Sequence, residues 1–115
     1  EGATRAGTIL LQRGRFEAAA EYFRRVADGD STYPEARIAL AGCLARTDRR
    51  AEAMELYASC ALQYPEYADA CRYNLSRLLG EDGRREEARE TAAEIRDPAR
   101  REQALESVTG DRNRQ

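Results

Sequence analysis

Gly14-Arg15-Phe16-Glu17-Ala18-Ala19 is followed by Asp48-Arg49-Arg50-Ala51-Glu52-Ala53 and then by Gly83-Arg84-Arg85-Glu86-Glu87-Ala88. Ala53 lies 34 residues after Ala19, and Ala88 lies 35 residues after Ala53, so one frame recurs with a single insertion before its third copy. A period in this range, without a β-branched alternation inside the units, predicts a right-handed solenoid of stacked helical pairs rather than a single globule. The expected fold is all-α, with three helix-turn-helix units at about 2–31, 34–64 and 66–96. A capping helix at 98–109 and a disordered tail at 110–115 would complete one domain of seven helices spanning 1–109.

Composition agrees. The chain has 115 residues, 42% hydrophobic and 35% charged, which suits one domain. Alanine and leucine supply most of the apolar content, favouring thin helix-on-helix layers over a thick sheet core. Nineteen arginines, with no lysine, face 21 acids for a formal charge of −2, which gives no general attraction to nucleic acid or to an anionic membrane. The exclusive use of arginine suggests a GC-rich, bacterial genome. No apolar run approaches the roughly 20 residues that cross a bilayer, so direct membrane insertion is not expected. The start at Glu1 without methionine or a signal-like segment fits a truncated or processed chain, with the cytoplasm slightly favoured over the periplasm.

The layout follows the apolar periodicity. A first helix is expected at 3–12, carrying Ala6, Ile9 and Leu10 on one side, and Gly14 breaks it. The second, 16–28, turns Phe16, Ala19, Ala20, Phe23 and Val26 to one side and places helix-spaced opposite charges on the other. Asp28 to Thr32 is a turn. Pro34 opens a third helix at 34–46, which faces a fourth at 49–63 through Leu40, Ala41 and Leu44 against Ala53, Leu56, Tyr57 and Cys60. Pro65 opens a fifth, running to Leu79 and ended by Gly80 and Gly83. The sixth, 84–96, shows only Ala88, Ala92 and Ile95 as an apolar face, and something must cover it. Asp97-Pro98 is a helix-start signal for the last helix, which brings Leu105 and Val108.

Catalytic chemistry has no visible home. Histidine is absent, so no nucleophile-histidine pair exists, and Gly7, Gly14 and Gly42 are isolated rather than gathered into a phosphate loop. Glu81-Asp82 and Glu86-Glu87, beside Arg84, Arg85 and Arg89, read as a solvated, salt-bridged face. Cys43, Cys60 and Cys71 are too few for a disulfide framework. Each sits among small apolar neighbours as a small hydrophobe, although a Cys60–Cys71 bond is geometrically conceivable. No metal site, cofactor or catalytic residue is expected, and the chain is read as a non-enzyme.

With these residues in hand, the chain resembles the tetratricopeptide repeat family over residues 3 to 96. Gly7, Ala41 and Ser76 match the small residue at the helix crossing, and Ala19, Ala53 and Ala88 match the alanine of the second helix. Phe23 and Tyr57 match the large residue one turn later, where the third unit has Ala92. Gly14, Asp48 and Gly83 occupy the turn, and Phe16, Arg50 and Arg85 the start of the second helix. The resemblance implies that ligands lie in a concave groove lined by the first helix of each pair. Thr4, Thr8, Leu11 and Gln12, then Ile38, Gly42, Ala45 and Arg46, then Tyr73, Asn74, Arg77 and Glu81 fall on that face. Gly42 and Ala45 leave room, Ile38 and Tyr73 offer apolar contact, and Arg46 and Arg77 suit a carboxylate. The plain alternative is that both arginines are ordinary solvated side chains. The clamp with which some members hold chaperone tails is missing, since Thr4, Thr8, Ala39, Ala70 and Asn74 stand at its places.

The function expected is therefore protein-protein interaction: a peptide or partner protein, carrying an acidic group, held in the groove. Two other readings stay open, a self-assembling oligomeric scaffold and a docking or regulatory domain of a larger enzyme. Reading of RNA by related helical repeats fails on a sequence pI near 5.3.

Overall fold

A computed structural model describes residue 7 and residues 9–29 and 34–113; the side chains of 28, 29 and 109–113 fall outside that description. The described residues form only helices and turns, with no strand. Residues 9–12, together with Gly7, belong to α1. Then come α2 (Phe16–Gly29), α3 (Pro34–Arg46), α4 (Arg50–Gln63), α5 (Ala68–Glu81), α6 (Arg85–Ala93) and α7 (Pro98–Asn113). The residues gather into two compact units that divide between Leu56 and Tyr57, within α4.

The repeating frame has a structural meaning at its alanines. Ala19, Ala53 and Ala88 are each the fourth residue of their helix, and each donates its N–H to an arginine carbonyl at the N-cap, Arg15, Arg49 or Arg84, at 3.0 Å. All three are fully buried. An arginine side chain has no acceptor and cannot cap a helix. Glutamates in the first turn, Glu17 in α2, Glu52 in α4 and Glu86 with Glu87 in α6, supply the negative charge that favours a helix N-terminus. Arg84 turns its guanidinium onto Glu87 in two bonds of 2.8 Å. That holds the Glu87 carboxyl below its usual range and raises Arg84, as the salt-bridged reading of this face expects.

The glycine turns are one motif used twice. Gly14 and Gly83 have φ of 73° and 82°. Before Gly14, Arg15 donates its N–H to Leu10 and Gly14 to Leu11; before Gly83, Arg84 donates to Leu79 and Gly83 to Gly80. These paired bonds close off the last carbonyls of a helix, and the left-handed residue they need has no Cβ penalty only as glycine. Asp48 stands at the equivalent place after α3, where no residue takes a positive φ.

In unit 1, α2 packs against α3. Phe23 and Leu44 are the largest fully buried side chains, joined by Ala20, Ala36, Leu40, Ala41 and Met54. Gly7 is buried, and a Cβ placed on it would overlap the Phe23 ring. The small residue of the first helix is thus the socket for the large residue of the second. Arg24 ties α2 to Glu52 of α4 at 2.7 Å.

In unit 2, α5 packs against α6, and α7 packs against both. Ala92, Ile95 and Ala104 form a buried cluster with Tyr73 and Leu105 against it. The thin apolar face of α6 is covered by α7. Asp97 caps α7 by accepting the Arg100 N–H at 2.9 Å, with Pro98 in the first turn, as the Asp97-Pro98 signal predicts.

Several boundaries differ from the sequence reading. Pro65 opens a short 3-10 turn, Pro65–Tyr67, and α5 begins only at Ala68. Gly80 lies inside α5, which continues to Glu81. The sixth helix stops at Ala93 rather than 96, because the N–H groups of Arg96 and Asp97 donate instead to the Asp69 carboxylate of α5 at 2.9 and 3.0 Å. The last helix extends past 109 to Asn113, so the expected tail of 110–115 is helical as far as the description reaches.

Candidate functional site

Ile38, Gly42 and Ala45 sit on one stripe of α3 at helical spacing, all half-buried, and Arg46 follows them, exposed, at its C-terminal end. Arg46 is not a loose side chain. Its guanidinium lies over the Phe16 ring, 5.2 Å from the centroid, close enough for cation–π attraction. Phe16 reaches that place because Gly14 turns the chain sharply and α2 starts two residues later.

Around this stack opens a cleft of about 520 Å³ lined by Arg15, Phe16, Glu17, Arg46, Thr47 and Asp48. The Thr47 hydroxyl is committed, donating to the Leu44 carbonyl at 3.1 Å. Arg46 makes no ion pair among the described residues, although Glu17 and Asp48 share its cleft. A guanidinium held over a ring still presents N–H groups at its edge, which a carboxylate can meet with two parallel bonds. Leu11 and Gln12 end α1 within unit 1, half-buried and exposed respectively. Thr4 and Thr8 lie outside the described residues.

The expected residues on α5, in unit 2, are arranged differently. Tyr73 is half-buried against the Ala92–Ile95–Ala104 cluster, so its ring serves the packing of α7 rather than standing as a free apolar contact. Asn74 donates from Nδ2 to the Ala70 carbonyl at 3.1 Å and accepts from Arg77 Nη2 at 3.4 Å. Its amide is engaged within its own helix. Arg77 and Glu81 are exposed.

Phe16 and Arg15 were not among the groove residues expected from sequence. The signal was present, an aromatic at the first position of α2, but its partner Arg46 is 30 residues away and no local spacing reports the contact. Among the described residues no cluster of three potential metal ligands occurs, and no helix is long and apolar enough to cross a membrane.

Paired helices closed at a small-residue crossing, with an alanine fixed at the fourth position of each second helix, define a helical repeat protein. The family pattern described as tetratricopeptide repeat matches residues 10–70, more than half of the chain, and the chain belongs to that family. Among solved structures, it is similar to the Yersinia enterocolitica type III secretion chaperone SycD in complex with a peptide of the translocator YopD. That match has a TM-score of 0.81 and 16% identity over 97% of this chain and 93% of that one. The structure described as the Yersinia enterocolitica type III secretion translocator chaperone SycD matches with the same TM-score at 17% identity, over 98% of this chain and 85% of that one. At such identities the likeness is one of fold. Comparison with curated proteins finds no match.

Proposed function

We propose that this chain is a non-enzymatic protein-binding module that takes an acidic peptide segment of a partner protein at the unit 1 cleft beside α3, with Arg46 as the anchor. Family membership and a fold shared with a chaperone in complex with a translocator peptide support the coarser reading, a protein-binding module. The observation that carries the finer one is the Arg46 guanidinium stacked on Phe16 in an open cleft without a carboxylate partner among the described residues. Stacking lowers the freedom the side chain must lose when it meets a ligand, so each bond formed costs less entropy. Gly42 and Ala45 leave space beside it for the backbone of a bound segment, and Ile38 offers apolar contact. Arg77, in unit 2, is exposed as well.

Peptide display against the intact chain tests this, followed by titration of selected peptides on the parent, Arg46→Glu and the Arg46→Glu/Arg77→Glu double variant. Selected peptides should be enriched in Asp or Glu, and Arg46→Glu should weaken them by about tenfold or more, as expected for loss and reversal of a charge-assisted pair. Circular dichroism should show equal helicity, because Arg46 and Arg77 are exposed. Peptides without acidic enrichment, or equal binding by parent and variants, would sink the assignment of Arg46.

A further inference from the structure

Two thiols that the binding face does not use meet in unit 2. Cys60 lies in the last turn of α4 and Cys71 in the first turn of α5, joined through Tyr64 and the 3-10 turn Pro65–Tyr67. The turn is closed by its own backbone: Tyr64 donates its N–H to the Cys60 carbonyl and Tyr67 donates to Tyr64, each at 2.9 Å. Both cysteines are 0% exposed and neither is in a disulfide. Their thiols are hydrogen-bonded to each other.

We propose that Cys60 and Cys71 form a disulfide site, at which a low-molecular-weight disulfide oxidises the pair to a cross-link between α4 and α5. The step balances as two successive exchanges. The Cys60 thiolate attacks one sulfur of the oxidant, forming a mixed disulfide and releasing one thiolate, which takes up a proton. The Cys71 thiolate then attacks the Cys60 sulfur, forming the protein S–S bond and releasing the second thiol. Two protein thiols lose two hydrogens and two electrons, and the oxidant becomes two thiols.

The surroundings set when this happens. The neighbouring Cys60 thiol and burial both push the Cys71 thiol far above its usual range, and both cysteines are fully buried, so in the closed fold the oxidant has no path to either sulfur. Oxidation therefore proceeds through opening of the α4–α5 turn, and the cross-link then resists that same opening. The site records exposure of unit 2 to an oxidising disulfide while the turn is open.

The full chain is incubated with glutathione disulfide, with and without urea below the unfolding transition, then alkylated and digested with trypsin. No arginine lies between Arg50 and Arg72, so both cysteines fall in one tryptic peptide. The expected product is that peptide short of two hydrogens and unalkylated, formed faster in urea, while Cys43 stays alkylatable. The oxidised protein should melt several degrees above the reduced one and return to it with dithiothreitol, because a cross-link across a short loop restricts the unfolded chain. In Cys71→Ser, Cys60 should stop at the mixed disulfide with glutathione. Glutathione adducts alone in the parent, bonds through Cys43 or between chains, absence of oxidation in both conditions, or an oxidised form that melts below the reduced one would each overturn the proposal.

Discussion

Unit 1 and unit 2 start from the same frame, a buried alanine at the fourth residue of the second helix, and fill the space one turn later in opposite ways. Unit 1 uses a single ring: Phe23, almost fully buried, seats against Gly7. Unit 2 has Ala92 at that position, and two sequential neighbours make up the volume, with Ile95 folding in after α6 and Ala104 arriving from α7. The first solution is local to one pair of helices. The second recruits an extra helix and needs polar ties to hold it. Asp69 grips the N–H groups of Arg96 and Asp97, and the Arg101 guanidinium donates to the Ile95 carbonyl at 3.0 Å. A repeat that gives up its large side chain thus becomes dependent on the helix downstream of it.

The comparison breaks first at its two fillers. Phe23→Ala should cost about 3–5 kcal/mol and Ile95→Ala about 2–4 kcal/mol, the range for deleting fully buried large side chains. Urea titration followed by circular dichroism measures both. A coupled test sharpens the socket. Gly7→Ala should destabilise the parent, because its Cβ overlaps the Phe23 ring, and should stabilise the Phe23→Ala background, where the ring is gone and alanine favours helix over glycine. The same sign in both backgrounds would show that Gly7 and Phe23 are not partners.

A smaller effect separates the shared frame from the fillers. Ala53→Leu places a bulky side chain where Ala53 is 0% exposed and should cost about 1–3 kcal/mol by overpacking, with loss of unfolding cooperativity. A melting curve unchanged from the parent would show that the alanine frame marks no close approach.

These sites also divide what could be read from the sequence and what could not. The alanine frame, the glycine turns and the start of α3 at Pro34 were legible, because each is set by local sterics: a missing Cβ, a left-handed residue, or a proline ring that suits a first turn. The early end of α6 was not. Its periodic residues continue to Ile95, but Asp69, 27 residues upstream, takes the N–H groups on which another turn would depend. Tyr73 shows the same limit at the candidate site. Its place on the first helix of its pair is correct, yet α7 arrives from more than 20 residues downstream and covers the ring. The Arg46–Phe16 stack is likewise a pairing across elements, invisible to spacing within either helix.

The Asp69 clip gives the smallest effect and the one with a defined pH signature. Its carboxyl is held below the ordinary value of 3.8, first by the Arg96 N–H, which burial opposes, and then by the Asp97 N–H and the charges of Arg100 and Arg72. A carboxyl with a depressed folded-state pKa stabilises fully above its unfolded value and loses that contribution as pH falls through the folded one. Asp69→Ala removes two charge-assisted bonds at a solvent-accessible site and should cost about 1–2 kcal/mol near neutral pH, the lower end applying where water screens the group. The parent-to-variant difference in Tm should therefore be constant from neutral pH down to about 5 and close only below 3.8, as the parent's carboxylate takes up its proton. Ile95→Ala, which loses packing and no charge, should keep its deficit through the same range. If the two variants track each other with pH, the turn after α6 is held by Ile95 alone and the carboxylate contributes nothing to seating α7.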